Sequence, residues 1–144
     1  MEKEYDNLKL ENQLCFPLYA CSKEIVKRYK PLLDELDLTY TQYIVMMVLW
    51  EKNEINLKKL GEILFLDSGT LTPVLKKLEK KKYITRNRLE KDERNLMISI
   101  TENGKKLKQK AKDIPNEIGS CINLKPEEAM NLYKTLYKIL DTFK

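Results

Sequence analysis

Apolar residues recur along residues 8–36 at Leu10, Leu14, Leu18, Ile25, Tyr29, Leu32, Leu33 and Leu36, mostly three, four or seven apart. That spacing gathers them on one side of a helix. The stretch is therefore expected to be one long amphipathic helix that Pro17 and Pro31 start, kink or end. Thr39 with Gln42 three positions on has the form of a capping box and opens a second helix, residues 40–52. In it Ile44, Val45, Met46, Met47, Val48, Leu49 and Trp50 leave almost no polar face, so this helix should be the buried centre of the fold. Ile55-Asn56-Leu57 reads as a short extended piece, with Asn56 capping a helix that runs to about Leu64. After the break Asp67-Ser68-Gly69, a further helix reaches about Lys82 with Leu71, Val74, Leu75 and Leu78 on its inner side. Pro73 lacks the N–H that would bond Gly69, which puts the regular start of that helix nearer Thr70.

Beyond Lys82 the period changes from 3.6 to 2. Leu96, Ile98 and Ile100 alternate with Asn95, Met97 and Ser99, a half-buried strand. Paired with Tyr83–Arg88 it makes a hairpin whose tip is Leu89–Arg94. Thr101 caps a helix over 102–119, and Pro126 opens a last helix over 126–143, striped by Leu132, Leu136, Ile139, Leu140 and Phe143. The fold class that results is mainly α with a small β-hairpin wing. Two short helices joined by a tight break and followed by a hairpin form the winged helix-turn-helix order. All of residues 1–144 are read as a single domain, with 39–101 as the winged core and the helical segments 1–38 and 102–144 flanking it.

Charge adds a partner. From Ser68 to Arg94 there are nine basic and four acidic residues, an excess equal to the +5 of the whole chain. A local basic block of this kind points to a polyanion, and on a winged helix-turn-helix the polyanion is double-stranded DNA. The second helix of the pair enters the major groove, while the hairpin tip lies beside the duplex and can place an arginine in the minor groove. The inner stripe then leaves Ser68, Thr70, Thr72, Lys76 and Lys77 facing DNA, joined by Arg86 of the hairpin. RNA is not indicated, since this segment holds a single aromatic residue, Tyr83.

Other counts narrow the chemistry. With no histidine, Cys-His and Ser-His nucleophile pairs and His-ligated zinc are excluded. The three cysteines, Cys15, Cys21 and Cys121, make no Cys-x-x-Cys, so no metal, cofactor or thioredoxin-like site is expected. Widely spaced and odd in number, they read as reduced thiols of a cytoplasmic protein, either buried small hydrophobes or reactive groups. The first residues carry both signs of charge and no apolar run, unlike a signal peptide. The longest apolar run, Tyr43 to Trp50, is too short to span a membrane. Composition is that of a folded chain, 42% hydrophobic with only 4 Gly and 5 Pro, and long enough to bury a core unaided.

With these residues placed, the sequence resembles the MarR family of winged-helix transcription regulators. The wing tip Asp92-Glu93-Arg94 and the strand Leu96–Ile100 carry that resemblance. In the family the aspartate braces the arginine that enters the minor groove, and the resemblance gives those DNA-binding roles to Asp92 and Arg94. The likeness is closer to the organic-hydroperoxide-sensing OhrR branch, through Leu10-Glu11-Asn12-Gln13-Leu14-Cys15-Phe16-Pro17-Leu18-Tyr19, Tyr29-Lys30-Pro31-Leu32-Leu33, Leu38-Thr39-Tyr40 and Leu66-Asp67-Ser68-Gly69-Thr70-Leu71-Thr72-Pro73. It covers nearly the whole chain and is weakest from about residue 116.

The resemblance implies a homodimer built by the N- and C-terminal helices, a dimeric MarR-like architecture. It makes Cys15 the thiol that an organic hydroperoxide or other oxidant converts to a sulfenic acid, after which the dimer leaves its operator. Tyrosines matching Tyr19, Tyr29 and Tyr40 lie near that thiol, the last two from the partner subunit. Tyr19 is i+4 from Cys15 and so its neighbour on a helix face. Without histidine, hydroxyl donors and a helix N-terminus are what is left to favour a thiolate. Pro17 departs from the family pattern; it can end the regular ladder just before Cys15, sharpening the helix terminus at the sulfur or shifting its geometry. Two-cysteine members of the branch resolve the sulfenate by an intersubunit disulfide, and Cys121 sits in the corresponding region; a small thiol is the alternative. Cys21, about 9 Å further along the helix from Cys15, is beyond disulfide reach and is read as structural.

The same residues leave three other readings open, the least favoured a non-DNA interaction module, in which the wing arginines and groove-facing threonines would be coincidental. A MarR-type regulator released by a non-covalent aromatic ligand needs no sulfur chemistry. A thiol peroxidase would use Cys15 and Cys121 but leave the basic segment without a purpose. The reading carried forward is a repressor and not an enzyme.

Overall fold

The computed structural model describes residues 2–88 and 96–144. The expected wing tip lies outside the described residues, and with it Asp92 and Arg94. Two compact units make up the chain, Met1–Ile114 and Pro115–Lys144.

The first unit opens on two 3-10 turns, Glu2–Leu8 and Leu10–Asn12. Then follow α1 (Cys15–Asp34), α2 (Tyr40–Lys52), β1 (Glu54–Asn56), α3 (Leu57–Leu64), α4 (Ser68–Lys80), β2 (Ile84–Arg88), β3 (Leu96–Ile100) and α5 (Glu102–Ala111). The single helix expected over 8–36 is thus cut back to a start at Cys15. Pro17, third residue of α1, has no N–H to bond a carbonyl upstream, so the ladder begins where one proline costs nothing. The helix expected over 102–119 is also two helices, α5 and α6 (Ile114–Cys121). Pro115 cannot supply the amide that would bond the carbonyl of Ala111, the residue at which α5 ends. By contrast Pro31 is carried inside α1 without ending it.

The caps read from sequence are in place. Thr39 Oγ1 accepts from the Gln42 amide at 3.2 Å while Gln42 Oε1 accepts from the Thr39 amide at 3.0 Å. Asn56 Oδ1 accepts from Lys58 N at 2.7 Å, and Thr101 Oγ1 from Gly104 N at 3.1 Å. Each satisfies an amide that the first helical turn leaves open. The extended piece at Ile55 does more than link two helices. It joins the hairpin, so that a three-stranded antiparallel sheet runs β1-β3-β2, with Ile55 opposite Ile98 and Ile84 opposite Ile100.

As its composition predicts, α2 is the centre: Val45, Met46 and Leu49 are fully buried, together with Leu60, Leu71, Leu75 and Ile98. At about 1.5–3 kcal/mol per buried aliphatic side chain, this set holds the winged core together. Two glycines let the elements close on it. A Cβ at Gly61 would sit 2.7 Å from the Leu66 carbonyl oxygen, the tight return between α3 and α4. One at Gly104 would run into the Tyr83 carbonyl and lie 2.7 Å from Ile100 Cγ1, where α5 rests on the hairpin base. Trp50 Nε1 donates to the Gly104 carbonyl at 2.9 Å, fastening α2 to that same turn.

The second unit contains most of α6 and α7 (Pro126–Asp141), which starts on its proline as expected. Its apolar stripe is only partly covered: Leu136 and Leu140 are half-buried, while Leu132, Tyr133 and Phe143 are exposed. No helix among the described residues is long and apolar enough to cross a membrane.

Candidate functional site

The turn Phe65-Leu66-Asp67 separates α3 from α4, with Phe65 in the left-handed region at φ 55°. Asp67 caps α4: its Oδ1 accepts from the Thr70 amide at 3.3 Å, and hydrogen bonding to Thr70 holds its carboxyl below its usual pKa. This cap starts the helix at Ser68, ahead of the start near Thr70 that Pro73 suggested. Proline removes one bond at Gly69, but the first turn is held from Asp67 and does not need it.

Burial of Leu71, Leu75 and Leu78 sets the rotation of α4. Ser68, Thr70, Lys76 and Lys77 are left exposed on the outer side. Among the described residues neither Lys76 nor Lys77 makes an ion pair. Thr72 is half-buried, its hydroxyl donating to the Ser68 carbonyl at 2.6 Å, so it serves the helix before it can serve a ligand. Arg86 is not brought to the lysine face. Its Nη2 lies 3.0 Å from Glu79 Oε1, and its amide donates to Glu79 Oε2 at 3.2 Å. Glu79 responds as a paired carboxylate should, held below its usual pKa first by the Arg86 hydrogen bond. The pair ties the first wing strand to the recognition helix, a role the sequence hinted at only through the opposite charges of residues 79 and 86.

Cys15 is the first residue of α1 and is exposed. Tyr19, one turn further along, is 64% exposed with the Lys23 ammonium 5.7 Å from its ring centre. The structure also leaves Cys21 exposed on α1, where the sequence reading made it a structural residue. Helix α1 has its buried contacts near its far end, at Leu33, so residue 21 has no core to enter. Cys121, the last residue of α6, is exposed as well.

Tyr29 and Tyr40 come together at the corner between α1 and α2, their ring centres 4.9 Å apart. Tyr43 joins them at 5.7 Å from Tyr29 and 6.3 Å from Tyr40, and Trp50 stands edge-on to Tyr43 at 6.1 Å. Sequence reasoning missed Tyr43 and Trp50, which it counted as core of an apolar helix. Tyr29 lies fourteen positions from Cys15 on one helix, about 21 Å, so these phenols do not serve the thiol of their own chain. Loss of water raises all three; for Tyr29, burial and then the neighbouring Tyr40 and Tyr43 push the pKa up to about 12. They therefore remain neutral O–H donors at physiological pH.

The raised values carry a sign for stability. An acid whose folded pKa exceeds its unfolded value of 10.0 favours the folded state below that value. Stability should therefore hold up to about pH 10, then fall as pH rises toward 12. Urea unfolding followed across this range, with phenolate absorbance recorded alongside, checks it. Tyr29→Phe should flatten the decline, and a steep loss well below pH 10 would contradict the assignment.

Helices α2 to α4, the three-stranded sheet and the described part of the hairpin define a winged helix-turn-helix protein. The family model described as Transcriptional regulator SarA/Rot matches residues 27–111. An organic hydroperoxide resistance transcriptional regulator of Bacillus subtilis (strain 168) is 52% identical over 142 residues, 99% of this chain and 97% of the relative. AbfR of Staphylococcus epidermidis is similar in two solved states. Its reduced form bound to DNA has a TM-score of 0.79 at 33% identity, covering 100% of both chains. Its disulfide form has a TM-score of 0.65 at 36% identity, covering 96% of this chain and 98% of that one. The chain belongs to the MarR family of transcription regulators, in the branch of the organic hydroperoxide regulators.

Proposed function

We propose that the chain is a cytoplasmic repressor, not an enzyme, which binds operator DNA as a reduced homodimer and is released when Cys15 is oxidised. One observation carries this reading: an exposed cysteine opens α1 in a chain 52% identical, over 99% of its length, to an organic hydroperoxide resistance regulator. Solved forms of AbfR, reduced on DNA and joined by a disulfide, support a sulfur-controlled grip in this branch.

Each subunit offers Ser68 and Thr70 to base edges, with Lys76 and Lys77 for phosphates. Thr72 and Arg86 act behind that surface, and Asp92 and Arg94 at the wing tip. Residues 39–101 form the reading core. Segments 1–38 and 102–144 build the dimer, in keeping with exposed Leu8, Leu10, Leu14 and Phe16 in one and Met130, Tyr133 and Phe143 in the other. Apolar surface on this scale asks for a partner.

In the sensing step the Cys15 thiolate attacks the outer oxygen of a hydroperoxide. The O–O bond breaks, the alcohol leaves after taking a proton, and sulfur becomes a sulfenic acid, oxidised by two electrons. A thiol, from Cys121 of the partner or from a small molecule, then displaces water to give a disulfide. Tyr19 of the same chain and the Tyr29 and Tyr40 phenols of the other subunit donate to the reduced sulfur; losing that geometry strains the corner between α1 and α2.

A gel-shift titration of the wild-type protein tests this. Reduced protein should retard operator DNA, a stoichiometric addition of cumene hydroperoxide should release it, and dithiothreitol should restore binding. Retardation indifferent to peroxide would refute the sensor.

A further inference from the structure

Between the turn that carries Tyr40 and the DNA-reading elements, hydrogen bonds and an ion pair converge on Lys81. This residue follows α4 directly and caps its C-terminus, its amide donating to the Lys77 carbonyl at 3.0 Å. Lys82, next in line, has φ 69° and turns the chain into the wing. Thr101, at the far end of the hairpin, is bonded to the same turn: its hydroxyl donates to the Lys82 carbonyl at 2.7 Å and its amide to the Tyr83 carbonyl at 3.0 Å. Recognition helix and wing thus share one pivot, residues 81–83.

The Lys81 side chain leaves this pivot and reaches the other end of the unit. Its ammonium donates to the Asp37 carbonyl and to Gln42 Oε1 at 3.3 Å, and lies 3.5 Å from the Asp37 carboxylate. Gln42 is 2% exposed and is half of the capping box that starts α2. The first residue of α2 is Tyr40, its ring tilted against those of Tyr29 and Tyr43. Asp37 stands at φ 55°, in the loop that brings α1 into α2. A single cation therefore holds the loop carbonyl and the buried amide that together fix where Tyr40 stands, and its backbone is where the recognition helix ends. Its side chain is 27% exposed and that of Asp37 84%, so the bonds to the Asp37 carbonyl and to buried Gln42 hold it more than the screened carboxylate does.

We infer that Lys81 is a positioning residue that couples the sensor corner to the reading head: it holds the pivot of α4 and the wing against the Asp37–Gln42 turn, so a shift of Tyr40 moves the recognition helix. This rests on the reading that Tyr40 meets the sensing thiol of the other subunit, and it adds the route by which that event reaches DNA. Two sites are coupled only through an element that both of them bias. Residues 37–42 are biased by the tyrosines, residues 81–83 by DNA, and Lys81 bonds one to the other.

Fluorescence anisotropy of a labelled duplex selected by the wild-type protein from a randomised pool gives the affinity before and after cumene hydroperoxide. Wild type should weaken at least tenfold on oxidation. Lys81→Met should weaken less than threefold although mass spectrometry finds its Cys15 oxidised to the same extent, and Lys81→Arg, which keeps the donors, should recover most of the response. A mere loss of stability, or of a bond to phosphate, would lower both affinities and keep their ratio; that outcome overturns the role of Lys81. In the wild type itself, amide exchange at residues 40–43 and 79–83 should quicken together on oxidation, and a change confined to one group also overturns it. Wild-type protein that ignores peroxide would instead sink the sensor reading, and this inference with it.

Discussion

Replacing Cys15 with serine should leave operator binding by the reduced protein within about threefold of wild type and abolish release by peroxide. The two side chains differ by one atom, and residue 15 is exposed at the first turn of α1, so neither core packing nor a helical bond is lost. What disappears is the electron-rich atom that can attack the O–O bond; a serine hydroxyl has no accessible higher oxidation state. A switch moves only by the difference in free energy that the signal makes between its two states, and without sulfur oxidation that difference is zero. In wild type the difference need not be large. A tenfold loss of affinity corresponds to about 1.4 kcal/mol, of the order of one or two hydrogen bonds from the tyrosine corner. Gel-shift titrations of both proteins, with and without cumene hydroperoxide, check the expectation, with Cys121→Ser as the companion. If Cys121 resolves the sulfenate, this second variant should release DNA but form no intersubunit disulfide on a non-reducing gel; disulfide formation without Cys121 would give the resolving role to another thiol. Release of Cys15→Ser as complete as that of wild type would move the sensing elsewhere, Cys21 being the exposed thiol to examine next.

Much of this was legible in the residues. The capping pair Thr39 and Gln42, the caps Asn56 and Thr101, and the switch from helical to alternating spacing near residue 83 are local signals, and the structure repeats them. Apolar periodicity alone placed α2 at the centre and set which side of α4 is inward. Where the reading left a helix bound open, as at Pro17, or drew it too long, as over 102–119, a proline competed with a hydrophobic stripe and won. Leu10 and Leu14 continue the period of α1 upstream, yet Pro17 confines the helix to Cys15 onward; Ile114 and Ile118 continue that of α5, yet Pro115 divides it. A stripe reports which residues share a side, not whether the backbone between them is unbroken. The extended piece at Ile55 was legible, but its membership of the sheet was not, because three residues show no period and only the pairing with β3 makes them a strand. Long-range polar bonds escaped for a similar reason. Nothing in the basic run Lys80-Lys81-Lys82 marks its middle member as the one that turns back to Gln42, and nothing in the basic block marks Arg86 as the partner of Glu79.

The second large effect concerns the lysine pair on the outer face of α4. Lys76→Gln with Lys77→Gln should weaken operator binding by the dimer roughly a thousandfold at about 0.1 M salt if all four side chains meet phosphates, and make its salt dependence shallower. Every phosphate that is no longer neutralised takes about 0.9 from the slope of log affinity against log salt, so the slope for the dimer should fall by roughly 3.6. Glutamine keeps the length and helix preference of the side chain, and both positions are exposed, so folding should not change. Thr70→Ala supplies the contrast. Thr70 stands in the first turn of α4, where the recognition helix of such a fold approaches base edges. Its replacement should relax discrimination between operator variants, by about 1–3 kcal/mol at one base pair, while leaving the salt slope as it was. Anisotropy titrations at four or five salt concentrations, on the operator and on a scrambled duplex, separate the two behaviours. A double glutamine variant with unchanged slope would show that this lysine face is turned to water, and the assignment of α4 as the helix against the DNA backbone would fall with it.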